Sequence, residues 1–162
     1  MRSGNPTRFV ETGNRQPLYN KKDKREIKGL KLKNVKLVNG GKNRQLSTFN
    51  ALKSIIKSKG VSKVLIHDAA RPNFSSTLLN TIIKKMKKSK AVVTILNLQD
   101  AIKQKIYTEK YEYIIGRNRK DLFLTQTPQA FNLKEIYNLH KNNGAKYRDD
   151  DISLFMNLDN VD

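Results

Sequence analysis

The chain has no cysteine and no tryptophan, and aromatic residues make up only 7% of its 162 positions. Without cysteine, disulfides, thiolate zinc sites and a cysteine nucleophile are all excluded. No apolar run approaches the length that spans a membrane, and the opening residues MRSGNPTRF lack the apolar core of a secretory signal. These absences predict a soluble, cytoplasmic protein that engages no membrane. Acidic residues are scarce as well: 14 Asp and Glu stand against 33 Lys and Arg, a formal net charge of +19. Such a charge attracts polyanions without specificity. Yet 24 of the cations are Lys and 9 are Arg, scattered through nearly every segment. No helix-turn-helix, zinc finger or basic ribbon interleaved with aromatics accompanies them. No specific nucleic-acid partner is expected.

What is present is one domain's length of chain, enough for a real core. Met1 to about Lys24 is polar, carries Gly4, Pro6, Gly13 and Pro17, and shows neither helical nor strand period, so residues 1–30 read as poorly ordered. Val35, Leu37 and Val38 then make a short strand running into Asn39, Gly40 and Gly41. Val64, Leu65 and Ile66 are consecutive bulky apolar residues, the pattern of a strand buried on both faces. Ala91–Leu96 repeats that pattern, and between the two lies FSSTLLNTIIKKMKK, a helix with an apolar stripe opposite its Lys face. This strand–helix–strand unit predicts a right-handed parallel crossover. Residues 97–119 read as two short strands joined by a turn, an antiparallel arm with little core of its own. Leu122–Thr125 is a further strand. Asn132 with Glu135 starts a helix from Leu133 to His140, where His140 complements the helix C-terminus. Asp149, Asp150 and Asp151 precede an apolar helix, ISLFMNL.

Three stretches carry candidate chemistry. In VLIHDAARP a buried strand ends in Asp68, at the sheet edge where α/β folds collect ligands and metals. Arg71 adds a forked, permanently charged donor suited to phosphate. In GGKNRQLS, Gly40 and Gly41 permit a tight turn that exposes backbone N–H groups, and Arg44 and Ser47 lie three apart in the first helical turn. In LTQTPQAF two hydroxyls and two amides surround a proline at a strand end. Each stretch alone also fits a bland structural role: an Asp cap, a Gly turn, a polar strand end.

Their order, followed by DDDIS, resembles the 2-C-methyl-D-erythritol 4-phosphate cytidylyltransferase family, whose motifs are GG-x-x-R-x-x-S, DAARP, an Arg shortly before QTPQ-x-F, and T-D-[DE]-x-S. The resemblance covers about Val35 to Leu158. It implies a three-layer α/β sandwich of the nucleotide-diphospho-sugar-transferase kind, with a mostly parallel sheet and a projecting β-arm at residues 97–119. It further implies transfer of CMP from CTP to methylerythritol phosphate with Mg²⁺. Gly40, Gly41, Arg44, Ser47 and Ala69 would hold the nucleotide, with Gly41 and Ser47 at the cytosine edge and Ala69 at the ribose. Asp68 and Arg71 would be catalytic, Asp68 also as metal ligand. Arg119 and Thr127 would hold the sugar phosphate, Arg119 reaching over from a homodimer partner's arm.

The family also opens with A-A-G-x-G-x-R and P-K-Q, which nothing in Met1 to Leu30 matches, and carries a late K-[VI]-T that this sequence does not contain. Ala101 stands where the family arm has Thr, and Asp149 where it has the Thr of T-D-D. The 1–30 segment is therefore expected to be non-homologous, and residues 31–162 an incomplete cytidylyltransferase domain. Homologues sometimes continue into a fused cyclodiphosphate synthase. The polypeptide as written is expected to have impaired activity. The alternative is an inactive fragment serving as a dimerising or nucleotide-binding module.

Overall fold

The computed structural model describes residues 8–12, 14–19, 38–68, 71, 73–143 and 148–156. They divide into two compact units, one of residues 1–93 and 127–162, the other of residues 94–126. Eight strands occur among them: β1 (Arg8–Thr12), β2 (Asn14–Tyr19), β3 (Val38–Asn39), β4 (Lys63–Asp68), β5 (Ala91–Asn97), β6 (Ile102–Tyr107), β7 (Glu112–Arg117) and β8 (Phe123–Asn132). Three α-helices join them: α1 (Arg44–Ile55), α2 (Ser76–Lys85) and α3 (Leu133–Asn143).

The larger sheet has the order β3-β2-β1-β4-β8-β5. Successive residues of β4 point to opposite faces, as strand geometry requires. Val64 and Ile66 pack with Ala51, Leu52 and Ile55 of α1, Leu133 and Ile136 of α3, and Phe131. Leu65, between them, packs with Ile82 and Met86 on the α2 side. One strand thus feeds two cores, and helices cover both faces: the three-layer α/β arrangement the sequence implied.

Strand direction differs from expectation. β4 runs antiparallel to both of its neighbours, β1 and β8, while β2 and β3 are parallel. The sheet is therefore mixed, not mostly parallel, in its described pairings. An unbroken apolar run reports that both faces are covered, and says nothing of which way the neighbours run. Nor are β4 and β5 adjacent, since β8 lies between them.

Inside the segment expected to be poorly ordered, β1 and β2 form an antiparallel pair, Arg8 opposite Leu18 through Thr12 opposite Asn14. The rest of residues 1–30 lies outside the described residues, as do 35–37 of the strand expected at Val35–Val38. Strand pairing is made by backbone groups, and neighbouring strands can supply it to a segment whose composition does not demand it.

Helix starts follow their caps. The Asn43 side chain accepts from Leu46 N–H at 2.9 Å and the Ser75 hydroxyl from Leu78 N–H at 3.1 Å. Asn132 Oδ1 accepts from Lys134 N–H and Glu135 N–H at the start of α3. The helix expected after the three Asp residues is a short 3₁₀ turn at Ile152–Leu154, with residues 157–162 outside the described set.

The second unit is the expected antiparallel arm. β6 and β7 pair from Ile102 opposite Arg117 to Tyr107 opposite Glu112. Thr108 closes the turn by donating N–H and hydroxyl to the Tyr111 carbonyl, at 2.9 and 2.8 Å.

Candidate active site

Strand directions decide what shares an edge of the sheet. β3 is parallel to β2, β2 antiparallel to β1, and β1 antiparallel to β4. It follows that β3 and β4 run the same way, and their C-terminal ends, Gly40–Gly41 and Asp68, lie at one edge. β8 runs antiparallel to β4, with Ile66 opposite Gln129. Two residues further along, Asp68 N–H donates to Thr127 Oγ1 at 3.1 Å. In the same register Arg8 of β1 stands opposite Asp68, a neighbour that sequence reasoning missed.

Beyond Asp68 the chain turns at once. Arg71 N–H donates to the Asp68 carbonyl at 3.0 Å. Arg71 Nε lies 3.7 Å from Asp68 Oδ2, with both side chains partly exposed. At that distance and exposure the pair adds little to stability. His67 holds this turn. Its Nε2 is 2.6 Å from the Arg71 carbonyl, which only accepts, so Nε2 carries the proton. Its ring meets Phe74 edge-on at 4.6 Å. Ala69 lies outside the described residues.

The glycine turn is locked from within. Gly41 N–H donates to Ser47 Oγ at 2.8 Å, and the Ser47 hydroxyl donates to the Asn43 carbonyl at 2.8 Å. A Cβ on Gly41 would lie 2.4 Å from Leu46 Cβ and 2.9 Å from Ser47 N, so the turn closes only around glycine. Arg44, expected to face the nucleotide, donates through one Nη to Asp151 Oδ2. Its other Nη is buried and has no hydrogen-bond partner among the described residues.

His140 lies in the last turn of α3, where the sequence placed it, and the structure buries it. It is 4% exposed, with Nε2 3.1 Å from Asp151 Oδ1, and Phe49 of α1 stacks on its ring. Asp150 accepts from Gln129 Nε2 at 3.2 Å and from Ser153 N–H at 3.1 Å, while Gln129 Oε1 accepts from Ile152 N–H. Asp150 thus serves the 3₁₀ turn as a capping acid, and Asp151 does not. Asp149 is exposed, as is Ala101 in the arm. Arg119, in the second unit, donates through Nη1 to the Gln99 carbonyl.

Residues 17–158 match the family model described as 2-C-methyl-D-erythritol 4-phosphate cytidylyltransferase. The chain is 43% identical over 139 residues to the bifunctional enzyme IspD/IspF of Pelagibacter ubique, covering 86% of this chain and 36% of that protein. It is 41% identical over 122 residues to a 2-C-methyl-D-erythritol 4-phosphate cytidylyltransferase of Clostridium botulinum, covering 74% of this chain and 52% of the relative. Among solved structures, 4-diphosphocytidyl-2C-methyl-D-erythritol synthase from Anaerococcus prevotii matches with a TM-score of 0.75 and 33% identity, over 87% of this chain and 63% of that one. The chain spans about a quarter to about half the length of the curated relatives it matches.

Proposed function

The chain belongs to the 2-C-methyl-D-erythritol 4-phosphate cytidylyltransferase family, and from that premise we propose that the protein transfers CMP from CTP to 2-C-methyl-D-erythritol 4-phosphate in isoprenoid biosynthesis, in the cytoplasm. Among the described residues no helix is long and apolar enough to cross a membrane. The observation that supports the proposal is the shared sheet edge, which carries the Gly40–Gly41 turn at the end of β3 and, beyond β2 and β1, Asp68 bonded to Thr127.

An anionic oxygen of the sugar phosphate attacks the α-phosphorus of CTP. The new P–O bond forms as the bond to the β-phosphate bridging oxygen breaks, and pyrophosphate leaves with the electron pair. Such a nucleophile needs no strong base, so catalysis reduces to positioning and charge neutralisation. Arg71 supplies fixed positive charge beside Asp68, while Thr127 and the partner subunit's Arg119 hold the sugar phosphate.

Base choice follows from Ser47. Its proton is committed to Asn43 O and one lone pair to Gly41 N–H, so only acceptor capacity remains. That suits the amino group of cytosine and opposes the carbonyl at the same place in uracil.

Mg²⁺ is the cation this reading requires. Among the described residues no three His, Cys, Asp or Glu side chains converge into a cage. Mg²⁺ commonly takes only one or two carboxylates, with water and substrate phosphates completing its shell, so Asp68 fits it. Asp68 would hold the ion, which would supply positive charge against the phosphates of the nucleotide.

The test combines pyrophosphate release, with Mg²⁺ and methylerythritol phosphate, and calorimetric binding of CTP and UTP. Turnover on CTP is expected to exceed that on UTP on the order of a hundredfold or more; equal use would overturn the reading. CTP binding without turnover assigns the chain the alternative role of a nucleotide-binding, dimerising module. No CTP binding overturns both.

A further inference from the structure

Asp151 does not belong to the edge just described, yet no carboxylate among the described side chains is more deeply buried. Its side chain is fully buried, at 0% exposure. Each oxygen has its own partner: Oδ2 takes Arg44, the first residue of α1, and Oδ1 takes His140, from the last turn of α3. Burying a carboxylate is expensive unless it is paired and hydrogen-bonded, so an apolar residue would hold these elements together at lower cost. What an apolar residue cannot do is aim a guanidinium.

The aim matters because of where Arg44 sits. It follows Asn43, whose carbonyl takes the Ser47 proton, and it precedes Ser47 by one helical turn. One Nη is fixed on Asp151 while the other is buried without a hydrogen-bond partner among the described residues. A buried, unused guanidinium donor beside the glycine turn is costly for folding alone. It is what an anionic or carbonyl acceptor on a bound nucleotide would satisfy.

We propose that Asp151 is a positioning residue for the nucleotide, acting through Arg44 and itself held by His140. The proposal rests on the nucleotide-binding reading above. Asp151 fixes which Arg44 nitrogen is committed and which remains for the ligand. The rigid partners support this division: Phe49 stacks on His140 with planes 6° apart, and Phe49 and Arg44 share α1. Next to Asp151, Asp150 ties Gln129, two residues from Thr127, to the same turn. The turn is thus anchored to β8 by bonds in which Arg44 takes no part.

The test is calorimetry with CTP plus Mg²⁺ and, separately, with methylerythritol phosphate, on folded full chain. Asp151→Asn is expected to weaken CTP binding about tenfold and leave methylerythritol phosphate binding within about twofold. In an Arg44→Gln background, Asp151→Asn is expected to add less than about twofold, because the two residues act as one unit. Equal losses for both ligands, or full additivity with Arg44→Gln, would reduce Asp151 to a structural part and overturn the proposal. Where Asp151→Asn does not fold, His140→Leu removes the hydrogen bond and keeps an apolar face against Phe49. CTP binding weakened about threefold supports the proposal, and unchanged binding overturns it. Wild-type chain that binds no CTP overturns the nucleotide reading itself, a result distinct from either.

Discussion

At the scale of single residues, Gly41 and Asp151 show two ways a side chain, or its absence, sets a site. A methyl group at position 41 would press on Leu46 Cβ, the Leu46 carbonyl carbon and Ser47 N, at 2.4, 2.8 and 2.9 Å. None is the far end of a flexible side chain, so the strain is relieved only by moving the helix start. Overpacking of this kind typically costs about 1–3 kcal/mol. For a chain of this size that lowers Tm by roughly 2–12 °C. Gly41→Ala is therefore expected to melt measurably lower and to lose CTP affinity along with the Ser47 bond. A variant that melts with the wild type and binds CTP equally would refute this. Gly41 and Ser47 were paired in the sequence only through the family resemblance, as ligand contacts; that they bind each other was not legible. Asp151 and His140 were not legible at all. A capping acid and a C-terminal cation look alike in sequence whether exposed or buried, and Arg44 stands 107 positions from its partner.

Elements tell more about layers than about directions. The run Val64–Ile66 revealed a strand covered on both sides, and its alternation between two cores bears that out. The arm was legible too, because two short alternating runs around a turn have few other solutions. Direction was hidden, since it depends on which strands arrive as neighbours. β1 is the sharpest case: it pairs with β2 on one side and β4 on the other, with Val10 opposite Ile66. A strand with neighbours on both sides cannot lose an N–H without losing a ladder bond on one of them. Val10→Pro should destabilise by about 1–3 kcal/mol, the usual range for a lost buried backbone bond. Hydrogen exchange should also quicken along β4, at Leu65 to Asp68. An unchanged urea midpoint and unchanged exchange at β4 would mean that β1 does not hold that place.

The whole molecule raises the question of what covers the arm. An isolated two-stranded ribbon is marginal in water, yet β6, β7 and their flanks leave Tyr111 64%, Ile114 61% and Leu124 50% exposed. Exposed apolar side chains of this kind are what a partner would cover, and the proposed partner is a second copy, arm to arm about a two-fold axis. Charge makes that proposal discriminating. Each copy carries a formal +19, so two copies repel each other over any distance that salt does not screen. The Debye length falls from about 30 Å at 0.01 M ionic strength to about 10 Å at 0.1 M. An interface built on exposed Tyr, Ile and Leu gains from screening, whereas one built on intermolecular ion pairs loses. Sedimentation equilibrium at tens of micromolar, roughly the working range for a modest interface, should show twice the 18.6 kDa chain mass at 0.5 M salt. Association should weaken as salt is removed. Ile114→Asp, placing a carboxylate in the apolar stretch of β7, should leave a monomer at every salt concentration with the fold intact by circular dichroism. A wild-type monomer at 0.5 M salt, or a dimer that dissociates as salt rises, would remove the arm as the dimer contact.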